Sequence, residues 1–388
     1  MWEIVFLLLP VAALSGWWMG RRTGMGRSGG MEPLSKDYYV GLNYLLDEKP
    51  DKAVDAFIRM LDVSPESHET TLALGNLFRR RGEVDRAIQI HQKLIAKPTL
   101  TSFQRVQALL ELGQDYMRAG VYDRAESLFL ELTNTSGEHL LTSLRHLIDI
   151  YEREQDWEKA IKISKKLQTV FGQTMGREIA HYYCELAQSL IDKGHLQAAL
   201  SHLQNSLSSD RNCVRASILQ GDVEKRMGNL NAALHAWQQV EKQDPDFIPE
   251  IITKVVHCFG ALNLDKKLQE YLEYLLQNSP SISVILTNAE RIQTLFGREK
   301  STEFLALYLK AQPSIRGLKK LVDLHLGATR GTVRDELLML RAMFDKLLEN
   351  KPIYRCGRCG FASKMIHWQC PSCRMWGIVK PIQGIEGE

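Results

Sequence analysis

Net charge is what this 388-residue sequence has least of: 49 Lys and Arg stand against 46 Asp and Glu, a formal +3. Residues 1–30 carry +2 and residues 351–388 carry +4, which leaves −3 for 31–350. Binding along a nucleic acid needs a basic face, so this near-neutral body argues against such a partner. The body also lacks a glycine-rich phosphate loop, a G-x-S-x-G and an H-E-x-x-H, and it shows little strand-like text before the tail. Cysteine is sparse outside one place. Four of the seven crowd into 356–373, while Cys184, Cys213 and Cys258 stand singly and read as small buried hydrophobes. With 44% hydrophobic and 24% charged residues, the chain is neither a disordered polymer nor a small disulfide scaffold.

What is present begins with an apolar run. Residues 2–20 read WEIVFLLLPVAALSGWWMG, with Glu3 the only charge. Nineteen helical residues span about 28 Å, close to a bilayer hydrocarbon core. Pro10 is tolerable in such a helix, and Trp17 and Trp18 fall where indoles favour the headgroup interface. No Lys or Arg precedes the run, as a cleaved signal peptide would require, whereas Arg21, Arg22 and Arg27 follow it. The expectation is a single transmembrane anchor over 1–20, a flexible basic tether over 21–34, and residues 21–388 in the cytoplasm.

From residue 35 the text turns helical and repeats at about 34 residues, the length of a tetratricopeptide helix–turn–helix unit. Such a unit wants a small residue and an aromatic in its first helix, then an Ala with a large apolar residue four positions on. Gly41, Tyr44, Ala53, Phe57 and Pro65 fit; so do Gly75, Phe78 and Ala87, with His91 in the large apolar position. Gly113, Tyr116, Ala125 and Phe129 fit again, and Tyr151 with Ala160, Ala187 with Leu190, Ala199 and Leu203, and Gly221 with Ala233, Trp237 and Pro245 mark three more. Residues 247–349 keep helix lengths but lose the signature, as terminal units of a stack do. The expected fold is all-α: a tetratricopeptide-repeat superhelix over 35–350, six recognisable units and two or three degenerate ones, with one continuous core and a concave groove. Tyr44, Phe57, Phe129 and Trp237 read as core, and His181, His195 and His202 as ordinary helix residues.

Residues 354–376 read YRCGRCGFASKMIHWQCPSCRMW: a C-x-x-C, ten residues, and a second C-x-x-C. Each such turn aims two thiolates at one point, and two together make a closed tetrahedral set. Residues 351–388 have too few apolar side chains for a core of their own, so a metal held by Cys356, Cys359, Cys370 and Cys373 is expected to organise them. A reducing cytoplasm disfavours two disulfides. His367 is surplus to the four thiolates. The short chain between the last helix and Tyr354 predicts that this domain docks on the array's end or in its groove, through Phe361, Met365, Trp368 and Trp376.

The knuckles C-G-R-C-G and C-P-S-C resemble those of rubredoxins, which hold one iron. Cys359 and Cys370 stand closer together than in true rubredoxins, and Arg374 stands where those proteins usually have Gly, which leaves zinc open beside iron. Taken in order, the anchor, the array and the rubredoxin-like domain resemble the lipopolysaccharide assembly protein B family over the whole chain. That resemblance implies a non-enzymatic adaptor or scaffold at the inner membrane of Gram-negative bacteria. It implies promotion of the degradation of the lipid A deacetylase LpxC by the membrane protease FtsH, and gathering of other lipopolysaccharide-synthesis or transport proteins. It implies that the four cysteines carry the metal, with iron favoured. The alternative reading is a membrane-tethered rubredoxin-like electron-transfer protein; a zinc-ribbon nucleic-acid module ranks last.

Overall fold

A computed structural model describes residues 40, 43–44, 47, 52–56, 68–327 and 329–388. The apolar run, the tether, and Gly41, Phe57 and Pro65 lie outside the described residues. Among those described, no helix is long and apolar enough to cross a membrane.

The body is made of antiparallel helix pairs. They are α1 His68–Arg80 with α2 Val84–Ile95, α3 Ser102–Ala119 with α4 Tyr122–Leu132, and α5 Glu138–Glu154 with α6 Trp157–Phe171. Then follow α7 Gly176–Asp192 with α8 Leu196–Ser209, α9 Val214–Arg226 with α10 Leu230–Gln243, and α11 Ile248–Ala261 with α12 Asp265–Asn278. The last two are α13 Ile282–Phe296 with α14 Arg298–Ala311, and α15 Ile315–Leu326 with α16 Thr332–Glu349. Side chains start several of them: Thr101 and Gln104 close a capping box on α3, and Asp156, Ser281 and Ser314 cap α6, α13 and α15. The 34-residue text therefore folds as helical hairpins, and residues 247–349 supply three of them despite their lost signature.

The chain divides into two compact units, 1–146 and 147–388. In each, the repeat signature is a packing rule. A Cβ added at Gly113 would stand 2.7 Å from the Phe129 ring, and one at Gly221 would stand 2.3 Å from Trp237 Nε1. The small residue on the first helix is thus the seat of the large ring on the second. Ala87, Ala125, Ala160, Ala199 and Ala233 are fully buried, as are Phe129, Leu203 and Trp237. The buried side chains group into successive clusters rather than one continuous core, for example 180–223 and 214–284, because each hairpin meets only its neighbours.

The turns inside hairpins need left-handed backbone. Gly120 and Gly228 supply it at φ 75° and 84°. Gln155 and Asn263 do so without glycine, at φ 58° and 53°, which is why those two turns are silent in the sequence.

His91 is the informative exception to the ring rule. It fills the seat under Gly75, fully buried, and its Nδ1 lies 2.5 Å from Asp115 Oδ2. Arg79 Nη1 donates to the other oxygen of Asp115 at 2.8 Å. A polar residue occupies a core position there because the next hairpin brings it a carboxylate.

The tail forms a small antiparallel sheet of order β2-β1-β3, from β1 Tyr354–Cys356, β2 Ala362–Ser363 and β3 Val379–Pro381. Its own buried apolar set is Tyr354, Cys356, Cys370 and Val379, with Phe361, Ile366, Cys373 and Ile378 partly buried around it.

The seat rule predicts that Gly221→Ala destabilises the second unit by about 1–3 kcal/mol through overpacking against Trp237. Chemical denaturation of the two proteins side by side measures it. Gly260→Ala, where nothing lies within 4 Å of the added carbon, is the comparison without overpacking and should stabilise by about 0.5–1 kcal/mol.

Candidate metal centre and its docking surface

The two C-x-x-C turns face each other. Cys356 Sγ lies 3.7 Å from Cys373 Sγ, and Cys359 Sγ lies 3.6 Å from Cys370 Sγ. All four sulfurs fall within 4.8 Å of one another. A tetrahedral ion at about 2.3 Å from each sulfur makes edges of about 3.8 Å, so this donor set fits one tetrahedral metal ion. Zinc and iron both accept four thiolates. His367 packs edge-on to Phe361, 5.7 Å between ring centroids, and stands apart from the set.

Backbone N–H groups prepare the sulfurs for negative charge. The N–H of Phe361 donates to Cys359 and is the main reason that thiol drops to about 6. Burial pushes Cys370 up to about 11, against the N–H groups of Cys373 and Ser372. A cation at the centre reverses the balance at Cys370, since a coordinated thiol is deprotonated outright.

The two knuckles differ at the residue after the second cysteine. Gly360 takes φ 77° in the first, and Arg374 takes φ 58° in the second. A left-handed backbone costs a non-glycine residue about 1–2 kcal/mol. The arginine repays it through its side chain, which reaches α5: Nη1 donates to Asp149, and Nη2 donates to Glu152 Oε2 at 3.2 Å.

Glu152 is the meeting point of this contact. Its carboxylate accepts from Trp376 Nε1 at 2.8 Å, from Tyr182 Oη at 2.7 Å, from Arg374, and from Gln369 Nε2 at 3.3 Å. Burial, then the Glu152 carboxylate, hold the Tyr182 phenol well above its ordinary range. Trp376 is buried, stacked on His181 with centroids 5.2 Å apart and edge-on to Tyr182 and Trp157. Trp368 stacks on Phe247 at 5.6 Å and lies under the Arg215 guanidinium. Lys380 Nζ pairs with Asp244 at 2.6 Å and Asp246 at 3.0 Å, and Tyr354 Oη donates to Glu250 at 2.6 Å. Farther along, Ser283 N–H donates to the Glu388 side chain, which also pairs with Arg316.

The domain therefore lies along the first helices of successive hairpins, α5, α7, α9, α11, α13 and α15, rather than at an end of the stack. Of the four side chains expected at the contact, Trp368 and Trp376 make it. Phe361 belongs to the domain's own core, and Met365 is 69% exposed. His181, expected to be an ordinary helix residue, is 4% exposed and packs on both tryptophans. Asp149, Glu152, Arg215 and Asp244 carry no local sequence signal. Arg374, read in the sequence only as a departure from the usual Gly of the knuckle, joins them at the contact.

Removing the shared acceptor should loosen the domain while leaving the helices folded. Glu152→Ala is expected to cost about 1–3 kcal/mol of docking, because it leaves buried donors on Trp376 and Tyr182 unpaired. Glu152→Gln keeps an acceptor oxygen and should lose less. Hydrogen exchange at β1 and β3 amides reads the difference; unchanged protection in Glu152→Ala would mean that the contact is held elsewhere.

Known proteins place this architecture. Residues 354–381 match a family described as a rubredoxin metal binding domain, and residues 70–101 and 184–247 match tetratricopeptide repeat families. Among solved structures, the tetratricopeptide protein YrrB, described with an unusual peptide-binding site, is 16% identical at a TM-score of 0.33, covering 52% of this chain and 98% of its own. Curated relatives are far nearer. Lipopolysaccharide assembly protein B of Escherichia coli K12 is 39% identical, with 100% of each chain covered. Its namesake in Haemophilus influenzae is 36% identical over 99% of each. At 39% and 36% identity from end to end, the chain belongs to the lipopolysaccharide assembly protein B family.

Proposed function

We propose that this chain is a non-catalytic adaptor of lipopolysaccharide biosynthesis at the inner membrane. In this reading, residues 1–20 anchor it and 21–34 tether it. Residues 35–350 form a cytoplasmic array that gathers partners, and 351–388 form the metal domain. Cys356, Cys359, Cys370 and Cys373 hold one iron or zinc ion. The partners are the protease FtsH and the lipid A deacetylase LpxC, whose degradation the adaptor promotes, together with other lipopolysaccharide-synthesis or transport proteins. The observation that carries the reading is the end-to-end identity with proteins named for lipopolysaccharide assembly. A superhelical array of this kind suits a peptide or helix laid in a groove, as an adaptor requires.

The metal part of the proposal has its own test. Full-length protein purified under reducing conditions should carry one equivalent of iron or zinc by elemental analysis. Cys356→Ser should lose it and expose Trp368 and Trp376, red-shifting their fluorescence, because the domain's own core is too small to stand alone. Metal-free wild-type protein with a folded, docked tail would refute the site.

The adaptor part makes a directional claim in cells. Depleting the protein, or supplying only Cys356→Ser, should lengthen the half-life of the deacetylase in a pulse-chase while its synthesis stays constant. An unchanged half-life removes the proteolytic role and leaves the scaffold for synthesis enzymes.

A further inference from the structure

Between the docked domain and helices α7 and α9 lies a cavity of about 560 Å³, within the range of small-molecule sites. Its charges do not cancel. On its wall four cations, Arg177, Arg215, Arg358 and Lys380, stand against two carboxylates, Asp210 and Asp244, and Asp244 pairs with Lys380 at 2.6 Å. Arg215 is paired with Glu185 at 2.7 Å and lies over Trp368. Arg177 and Arg358, one from the array and one from the metal domain, line the same space and make no ion pair among the described residues.

Two further features add to the positive field. The N-terminal turns of α7 and α9 form part of the wall, at Arg177 and at Val214, and neither carries a side-chain cap. Each contributes the equivalent of roughly half a positive charge. His181, also on the wall, is 4% exposed, and its Nδ1 has no hydrogen-bond partner. Burial, then Arg215 and Arg177, pull that imidazole down to about 3, so the residue is neutral and adds no charge of its own.

We propose that this cavity binds a phosphomonoester, its dianion held between Arg177 and Arg358 and its organic part against Trp368 and Phe247. The field decides the class of anion. Two guanidiniums without an ion pair and two helix N-termini suit an anion, and a phosphomonoester, of charge near −2 at neutral pH, can engage both guanidiniums at once; a carboxylate or a phosphodiester carries only −1. The volume decides the rest, since it exceeds what a bare phosphate fills and leaves room for a glycerol- or sugar-sized group. The site exists only while the domain is docked, because the two arginines come from its two sides. Occupation would therefore strengthen docking. The proposal stands apart from the adaptor reading, since it rests on the cavity alone.

Calorimetric titration of the full-length, metal-loaded chain with sn-glycerol 3-phosphate tests it. The expected result is saturable binding of one equivalent, weakened at least tenfold by Arg177→Gln and by Arg358→Gln. Lys300→Gln, on an exposed side chain of α14, should leave it unchanged. Both arginines are exposed, so the variants should keep the wild-type circular dichroism and melting curve, and the double variant guards against one substituting for the other. D-glycerate, in which a carboxylate stands in place of the whole phosphoryloxymethyl group, should bind at least tenfold more weakly. Vesicles of phosphatidic acid in phosphatidylcholine, added as competitor, separate the sources. Displacement assigns a lipid headgroup and its absence a soluble ester; both keep the phosphomonoester. No saturable heat, equal affinity in the double variant, or D-glycerate binding as tightly as glycerol 3-phosphate would each overturn it.

Discussion

The Glu152 carboxylate holds two parts of the second unit in one arrangement. It sits on α5, mostly buried, and gathers an indole N–H, a guanidinium and an amide from the metal domain together with a phenol from α7. A carboxylate removed from water must recover its hydration as hydrogen bonds, and here three of its four donor residues come from across the contact. The register of the domain along the first helices follows. With Trp376 fixed against His181 and Tyr182, Trp368 reaches Phe247, Lys380 reaches Asp244, and Tyr354 reaches Glu250. The cavity between Arg177 and Arg358 is a consequence of that same register.

The metal domain is not independent of the array. The domain's own apolar core is a handful of side chains around two buried cysteine sulfurs, too little to offset the chain entropy of some 35 residues without a metal or a neighbour. The array, for its part, presents Phe247, Tyr182 and His181 on the first-helix face, and the two tryptophans of the domain cover them. Tetrahedral sulfur geometry and aromatic docking thus address the same deficit from two sides. Arg374 shows how closely they are joined, since its unfavourable backbone at the second knuckle is tolerated for the ion pairs its side chain makes with α5.

The hairpins were legible in the sequence because their rule is local. A small residue and a ring sixteen positions apart must meet when two helices of fixed rise fold back on each other, as Gly113 with Phe129 and Gly221 with Trp237 do. The four-cysteine set was legible for the same reason, since the C-x-x-C turn aims its thiolates by its own backbone. Even His91 was visible as an exception, though not its explanation, because Asp115 comes from the next hairpin.

The amino-acid sequence by itself determined the helical repeats, the cysteine quartet and, through its likeness to known proteins, the family. The repeats and the quartet depend on spacings within a few turns of chain. Only the tertiary structure decided where the metal domain rests and which side chains hold it there. Glu152 and Trp376 lie 224 positions apart, and no periodicity links them. His181 became an interface residue, and Met365 an exposed one, because docking sorts side chains by which face of a small sheet meets the array. That orientation is set by long-range hydrogen-bond satisfaction and ring packing, which leave no pattern in a single strand of text.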